Sequence, residues 1–446
     1  MKSISLKAAL ALAVSSFAPL WAHAESPRNI IFLIGDGMGP AYTSAYRYFN
    51  DDSSTKKVEK TIFDHLLVGA SSTYPDDDTY VTDSAAAATA LATGYKTYNG
   101  AISVDHQHNP ISTMMEQATK AGYITAIVAT SQVNHATPAS FLAHNESRRN
   151  YNQIADSYAD NLHNGLGTAE LILGGGTQYF IRDDRNLISE FTDNGYQYID
   201  KLNQLESLTK LPAIGLFAKS GMPAALGADE PRRLQKMTDK ALQLLSRQTA
   251  PFMLMVEASQ IDWCGHSNDI VCAMHEMDDF AHTLMAVKAF VDKHPDTLLI
   301  ATADHSTGGL TLGRKGDYKW EGQQLKKVTV LPKVFAKQLL DNPEILSDYR
   351  KFSAVWHTQI NLSIADDSLA RLQQSLLESS KSKDAHRLMT NRIKRKIDAL
   401  TYTGWTTSGH DGIDVPVFAY GAGKHHFYGH VDNTEIANKI ISFIAK

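Results

Sequence analysis

The sequence predicts an α/β fold with a doubly wound, mainly parallel central sheet flanked by helices and carrying an inserted cap-like subdomain. Three observations lead there. Short apolar runs recur along the 446 residues. Segments with helical apolar spacing separate those runs, the alternation expected of a parallel sheet. One stretch, residues 314–400, differs in texture from everything around it.

In chain order, Asn29-Ile30-Ile31-Phe32-Leu33-Ile34 is a continuous apolar run ending in Gly35-Asp36-Gly37-Met38-Gly39. It reads as a strand buried on both faces, followed by a Gly-rich turn. Residues 123–129 form a similar run before a loop holding His135, and Leu171-Ile172-Leu173 runs into three glycines. Residues 252–256 end at Glu257, residues 297–302 end near Asp304-His305, and residues 415–420 end at Gly421. Between these lie predicted helices at 112–121, capped by Ser112 and stopped by Gly122, and at 230–248 and 268–294. Residues 314–400 are rich in Lys, Gln, Ser and Asp, with short helical patterns at 332–340, 368–377 and 385–400. They read as a cap inserted into a core made of residues 25–313 and 401–446.

The N-terminus has the pattern of a cleavable signal peptide over residues 1–24. Lys2 and Lys7 precede an apolar stretch at 8–20, and Ala22-His23-Ala24 offers a small-x-small cleavage site. Export to the periplasm or beyond is the expectation. No later segment holds about 18 uninterrupted apolar residues, so no membrane anchor is expected. The formal charge of −5 becomes more negative once the two leader lysines are removed. No nucleic-acid-binding surface is expected from such a composition. A phosphate site in an acidic protein must make its own local positive charge, and metal ions are one way to do so. Cys264 and Cys272 are the two cysteines; their spacing allows one bridge across a short loop or two free thiols.

Asp83-Ser84 opens an alanine-rich run that Gly94 can close, the signature of a capped helix. A serine there sits where a helix dipole welcomes an anion, but its hydroxyl needs a base or a metal to become a nucleophile. Elsewhere the chain offers candidates. In open parallel sheets, sites form beyond the carboxyl ends of the strands. Asp36, Glu257, Asp304 and His305 fall at or just past such ends, and His135 lies in a loop after one. Glu257, Asp262 and His266 form the densest cluster, and an Asp-x-x-x-His pair can reach one ion from a single helical turn. Mixed nitrogen and carboxylate ligation suits zinc, whereas all-oxygen sets suit magnesium. His410 adds a further imidazole. His425, His426 and His430 look similar, yet structural roles are favoured for them.

Taken together, these strings resemble the alkaline phosphatase family over nearly all of the chain after the leader. The matches are Gly35-Asp36-Gly37-Met38-Gly39, Asp83-Ser84-Ala85-Ala86-Ala87-Ala88-Thr89-Ala90 and His135-Ala136-Thr137-Pro138. Glu257 with Asp262 and His266, Thr302-Ala303-Asp304-His305, and His410-Asp411-Gly412 follow in the same order. The resemblance implies a metal-dependent phosphomonoesterase with a phosphoserine intermediate on Ser84 and three metal ions, two Zn2+ and one Mg2+. Asp262, His266 and His410 would hold the first zinc; Asp36, Asp304, His305 and the Ser84 oxygen the second. Asp36, Thr137 and Glu257 would hold the third ion, with His135 nearby. Arg148 matches the phosphate-binding arginine, with Arg149 ranked second, and Asp83 would orient Arg148. A homodimer is a further family expectation.

Two positions depart from the best-known bacterial pattern, which has Asp and Lys where this chain has His135 and Trp263. Imidazole favours transition metals, so the third site's preference for magnesium is expected to weaken. A sulfatase is disfavoured because Ser84 is followed by four alanines rather than x-Pro-x-Arg. A diesterase of the same superfamily typically has a threonine nucleophile and lacks a third site. A non-catalytic zinc- or phosphate-binding protein would need neither Ser84 nor the third set.

Overall fold

The computed structural model describes residues 26–163 and 169–445; the expected leader lies outside them. The strands in chain order are β1 (Asn29–Gly35), β2 (Leu67–Ser72), β3 (Ile124–Gln132), β4 (Leu171–Gly175), β5 (Gln197–Ile199), β6 (Ala213–Leu216) and β7 (Phe252–Ala258). They continue with β8 (Thr297–Thr302), β9 (Ser306–Thr307), β10 (Leu310–Leu312), β11 (Thr403–Trp405), β12 (His410–Asp411), β13 (Val415–Gly421) and β14 (Gly429–Asp432). Ten of them form one sheet in the order β14-β2-β13-β8-β1-β7-β3-β4-β6-β5. Its pairings are parallel except those of β13, which runs antiparallel to both β8 and β2.

The apolar runs are explained by burial on both faces. Along β1, Ile31 and Leu33 enter one core while Ile30, Phe32 and Ile34 enter the other. Alternation along a strand puts successive side chains on opposite faces, so a strand covered on both sides must be apolar throughout. Layers of helix supply the cover. Ile270–Lys293 and Arg233–Leu245 pack on one side, and Met114–Lys120 and Asn433–Ile444 on the other.

Helix ends differ from the sequence expectation by a few residues, for local reasons. The helix expected from Ser112 begins after Thr113, whose side chain accepts from the Glu116 N–H while the Glu116 carboxylate accepts from the Thr113 N–H. That reciprocal capping box outcompetes a lone serine one residue earlier. Asp269 likewise caps the long helix, which starts at Ile270 rather than at Asn268. Cys264 and Cys272 are joined in a disulfide.

Between β10 and β11 the chain forms a group of helices that includes Pro332–Asp341, Asp366–Ser379 and Ala385–Thr401. Its two ends are tied together, because β10 and β11 pair antiparallel with Leu312 opposite Thr403. The apolar faces of these helices, including Phe335, Trp356, Leu376 and Ile393, are continuous with the core beneath. Among the described residues, no helix is long and apolar enough to cross a membrane.

Candidate active site

The site lies where three adjacent strands end. β8, β1 and β7 are neighbours near the middle of the sheet, with Ile34 opposite both Glu257 and Thr302. Asp36 follows β1 directly, Asp304 and His305 follow β8, and Glu257 stands one residue before the end of β7. All four are fully buried. The turn after β1 depends on Gly37, whose φ of +73° suits glycine, and a Cβ there would come within 2.7 Å of the Asp262 backbone. Its N–H donates to Asp304 Oδ1 at 3.0 Å, which ties the ends of β1 and β8 together.

Asp262 and His266 project from the helix Gln260–His266, one turn apart. His410 arrives from far along the chain on β12, which pairs with β9 so that His410 lies opposite Thr307. Its ring stacks on that of His305 with centroids 3.5 Å apart. His410 Nε2 lies 3.1 Å from His266 Nε2, and each ring's Nδ1 faces a backbone carbonyl, of Thr82 and Ser408 respectively. Those carbonyls fix the tautomers and leave both Nε2 atoms available as acceptors or ligands.

Three clusters result, each with candidate ligand atoms within 4.8 Å of one another: Asp262 with His266 and His410, Asp36 with Asp304 and His305, and Asp36 with His135 and Glu257. Asp36 belongs to two of them. Burial, followed by the nearby Asp304, Asp262 and Glu257 carboxylates, pushes the Asp36 carboxyl well above its usual range. Burial likewise raises Glu257 to about 7 and lowers His135 to about 4. Arg148 offsets Asp36, and His305 holds Asp304 low, but the Asp36 and Glu257 carboxyls remain costly to ionise together. Both oxygens of Asp36, one each of Glu257 and Asp304, His135 Nδ1 and Thr137 Oγ1 are buried without a hydrogen-bond partner. Buried polar atoms are rarely orphaned, and here they gather on residues of suitable ligand chemistry. The donor set therefore fits divalent cations.

Ser84 stands beside these clusters. It is the first residue of the helix Ser84–Thr93, all of whose side chains are buried. Small alanines let that helix sit tightly against Ala136–Leu142 and Asn433–Ile444, which explains the long alanine run. Asp83 is the N-cap, accepting from the Ala86 N–H, and Gly94 closes the helix at φ +76° where a Cβ would strike Asn438. Ser84 Oγ lies 3.1 Å from His305 Nε2. The second Asp83 oxygen accepts from Arg148 Nη1 at 2.9 Å, holding the guanidinium at the same helix end. Arg149 is exposed.

His135 caps Ala136–Leu142 by position without a side-chain bond, and its ring meets Trp263 edge-on at 5.9 Å. Thr137, two residues on, is fully buried. The residues given metal, nucleophile or phosphate roles from the sequence thus lie in this region. Several supporting residues were not singled out. Thr307 Oγ1 donates to Asp262 Oδ1 at 2.6 Å and faces His305 Nδ1 at 3.2 Å, while Ser131 donates to Glu257. No motif marks such hydroxyls, since threonine and serine are common everywhere. His430 pairs with Asp414 at 3.0 Å, His425 and His426 lie ring on ring, and among the described residues none of the three joins a ligand cluster.

Comparison with known proteins agrees with this geometry. A family model described as alkaline phosphatase matches residues 27–446. Alkaline phosphatase 3 of Bacillus subtilis is 45% identical over 416 residues, covering 93% of this chain and 88% of that protein. A crystal structure of a cold-active alkaline phosphatase from a psychrophilic Shewanella is 45% identical at a TM-score of 0.86, covering 94% of this chain and all of that one. A mutant of the TAB5 alkaline phosphatase, with a histidine replaced by glutamate and Mg bound in its M3 site, is 27% identical at a TM-score of 0.69, over 94% and 99% of the two chains. With ligand chemistry gathered at three strand ends, a serine opening a buried helix and relatives matched along almost their full length, the chain is a phosphatase that belongs to the alkaline phosphatase family.

Proposed function

We propose that this chain is an exported phosphomonoesterase that passes the phosphoryl group of its substrate to Ser84 and then to water. The observation that carries the reading is the set of orphaned buried atoms on Asp36, Asp304, Glu257, His135 and Thr137, beside a serine at a helix N-terminus. On this reading Asp262, His266 and His410 hold one Zn2+, and Asp36, Asp304, His305 and the Ser84 oxygen hold a second. Asp36, Thr137 and Glu257 hold a third ion, Mg2+ or a transition metal, next to His135. Bound divalent ions supply positive charge that favours the serine alkoxide and offsets charge developing on the entering and departing oxygens.

The chain's own residues do the rest. Ser84 Oγ gives up its proton to solvent and forms a bond to phosphorus as the bond to the leaving-group oxygen breaks, and that oxygen takes a proton from solvent and leaves as an alcohol. The N-terminal end of the Ser84–Thr93 helix carries partial positive charge that favours a phosphate bound there. Arg148 grips two of its non-bridging oxygens with a planar fork, and Asp83 Oδ2 keeps that fork aimed. Water then attacks phosphorus, the bond from phosphorus to Ser84 Oγ breaks, and one proton of that water passes to the serine oxygen as inorganic phosphate departs. The test is hydrolysis of p-nitrophenyl phosphate at alkaline pH, abolished by exhaustive chelation and restored by added zinc. Undiminished turnover after chelation would contradict the reading.

His135 places an imidazole where the third ion would bind, and imidazole favours transition metals. The TAB5 structure, in which an acidic side chain replaces a histidine and Mg occupies the M3 site, supports the same trend. His135→Asp is expected to raise magnesium and lower zinc in protein dialysed against both, by metal analysis; unchanged proportions refute it. The same reading carries a periplasmic or secreted location, a homodimer, and residues 314–400 as a cap over the core.

A further inference from the structure

A cavity of about 860 Å³ opens beside the first ligand cluster, with His266 and Ser408 in its wall. His266 thus faces both the candidate active site and this space. The rest of the wall comes from the β10–β11 region and from one helix between them. Arg387, Lys394, Arg395 and Asp398 recur at helical spacing along Ala385–Thr401, so they share a face. Arg314 and Lys315, which follow β10, line the same cavity.

The charge of this wall is out of keeping with the protein. The full sequence carries a formal charge of −5, yet five cationic side chains line the cavity against one carboxylate. Arg387 is partly offset by Asp384 at 2.6 Å. Arg314, Lys315 and Arg395 form no salt bridge among the described residues. Asp398 is only 7% exposed and accepts from Trp405 Nε1 at 3.3 Å, so its carboxylate is turned into the wall. Burial also raises its pKa to about 7, which reduces its negative charge near neutrality. Scattered surface cations are ordinarily solvated and carry no message. Cations gathered along one cavity that borders the site at His266 focus anions into it.

We propose that this cavity binds a second phosphate carried on the leaving group, so that bisphosphorylated monoesters are preferred substrates. The inference rests on the phosphomonoesterase reading above and adds the substrate class. The cavity has the size of an ordinary small-molecule pocket. The reacting phosphate sits at Ser84, outside the cavity, and the leaving group extends past His266 into it, carrying the second phosphate toward Arg314, Lys315 and Arg395.

The test uses the full-length, metal-loaded protein and a matched pair of substrates, hexane-1,6-diyl bisphosphate and hexyl phosphate. After correction for the two equivalent ends, kcat/KM is expected to favour the bisphosphate by about tenfold, the combined effect of three partly screened cations. Combining Arg314→Ala, Lys315→Ala and Arg395→Ala should bring the ratio close to one. In the wild type, raising NaCl to about 0.5 M should compress it as well, a measurement that needs no variant to fold. A wild-type ratio near one, or one indifferent to both the substitutions and salt, overturns the proposal. Failure to hydrolyse p-nitrophenyl phosphate would instead overturn the parent reading, a separate and recognisable result.

Discussion

Replacing Ser84 by alanine is expected to lower kcat/KM for p-nitrophenyl phosphate by about 10^3 or more, which is roughly 4 kcal/mol of lost transition-state stabilisation. The substitution removes one oxygen from a side chain that is almost fully buried at the start of an alanine helix, so folding should be little affected. The Asp83 cap and its bond to Arg148 do not involve the serine hydroxyl and should survive. Stereochemistry at phosphorus separates loss of the nucleophile from general damage. Two successive in-line displacements through Ser84 give retention of configuration, whereas residual turnover by direct attack of water gives inversion. A Ser84→Ala enzyme that still turns over quickly with retention would remove Ser84 from the mechanism.

The second large effect concerns stability of the metal-free protein. Burial raises the Glu257 carboxyl to about 7 from an ordinary value of 4.5, and Asp36 moves the same way. A carboxyl whose pKa is raised by folding is ionised more readily in the unfolded chain. Its contribution is therefore fully present below about pH 4.5 and is lost as pH rises through about 7. For Glu257 alone that is about 3 kcal/mol, because each tenfold difference in proton affinity between folded and unfolded chain is worth ~1.4 kcal/mol. The buried His135, lowered to about 4, pulls the other way below about pH 6.5, so the carboxyl effect is read against a variant. From pH 5 to pH 8 the melting temperature of the chelated wild type should drop relative to that of chelated Glu257→Gln. Metal-loaded protein should fall much less, because the ions favour the ionised forms. Equal slopes for chelated and loaded protein, or no drop relative to the variant, would remove buried carboxylate repulsion as the cause.

Much of this architecture could be read from residues alone, and the reason is local. Asn29–Gly35 is apolar throughout because both sheet faces are covered, so a continuous run followed by Asp36 was enough to place a strand end and a candidate ligand. Asp83, Ser84 and Gly94 follow capping chemistry that acts within a few residues. What could not be read depends on residues meeting across the chain. Nothing near Thr307 announces that its hydroxyl will bridge Asp262 and His305, and nothing near Ser408 announces that its carbonyl will orient His266. The disulfide is of the same kind, since a spacing of eight residues permits it without requiring it. The basic cavity is legible only in part. Residues 314–400 are visibly rich in lysine, but the antiparallel closure of β10 on β11 is what brings cations from both ends of that segment to one cavity.

The short β9–β12 ladder has a kinetic consequence. It delivers His410 to a cluster whose other members, Asp262 and His266, lie more than a hundred residues earlier in the chain. Contacts of such long separation form late, because a large loop must be closed before they return any energy. Chains still emerging from synthesis hold the serine, the arginine and most of the carboxylates, yet lack the third member of this cluster until the last tenth of the sequence has docked. Onset of catalysis is therefore a sensitive clock for the completion of folding.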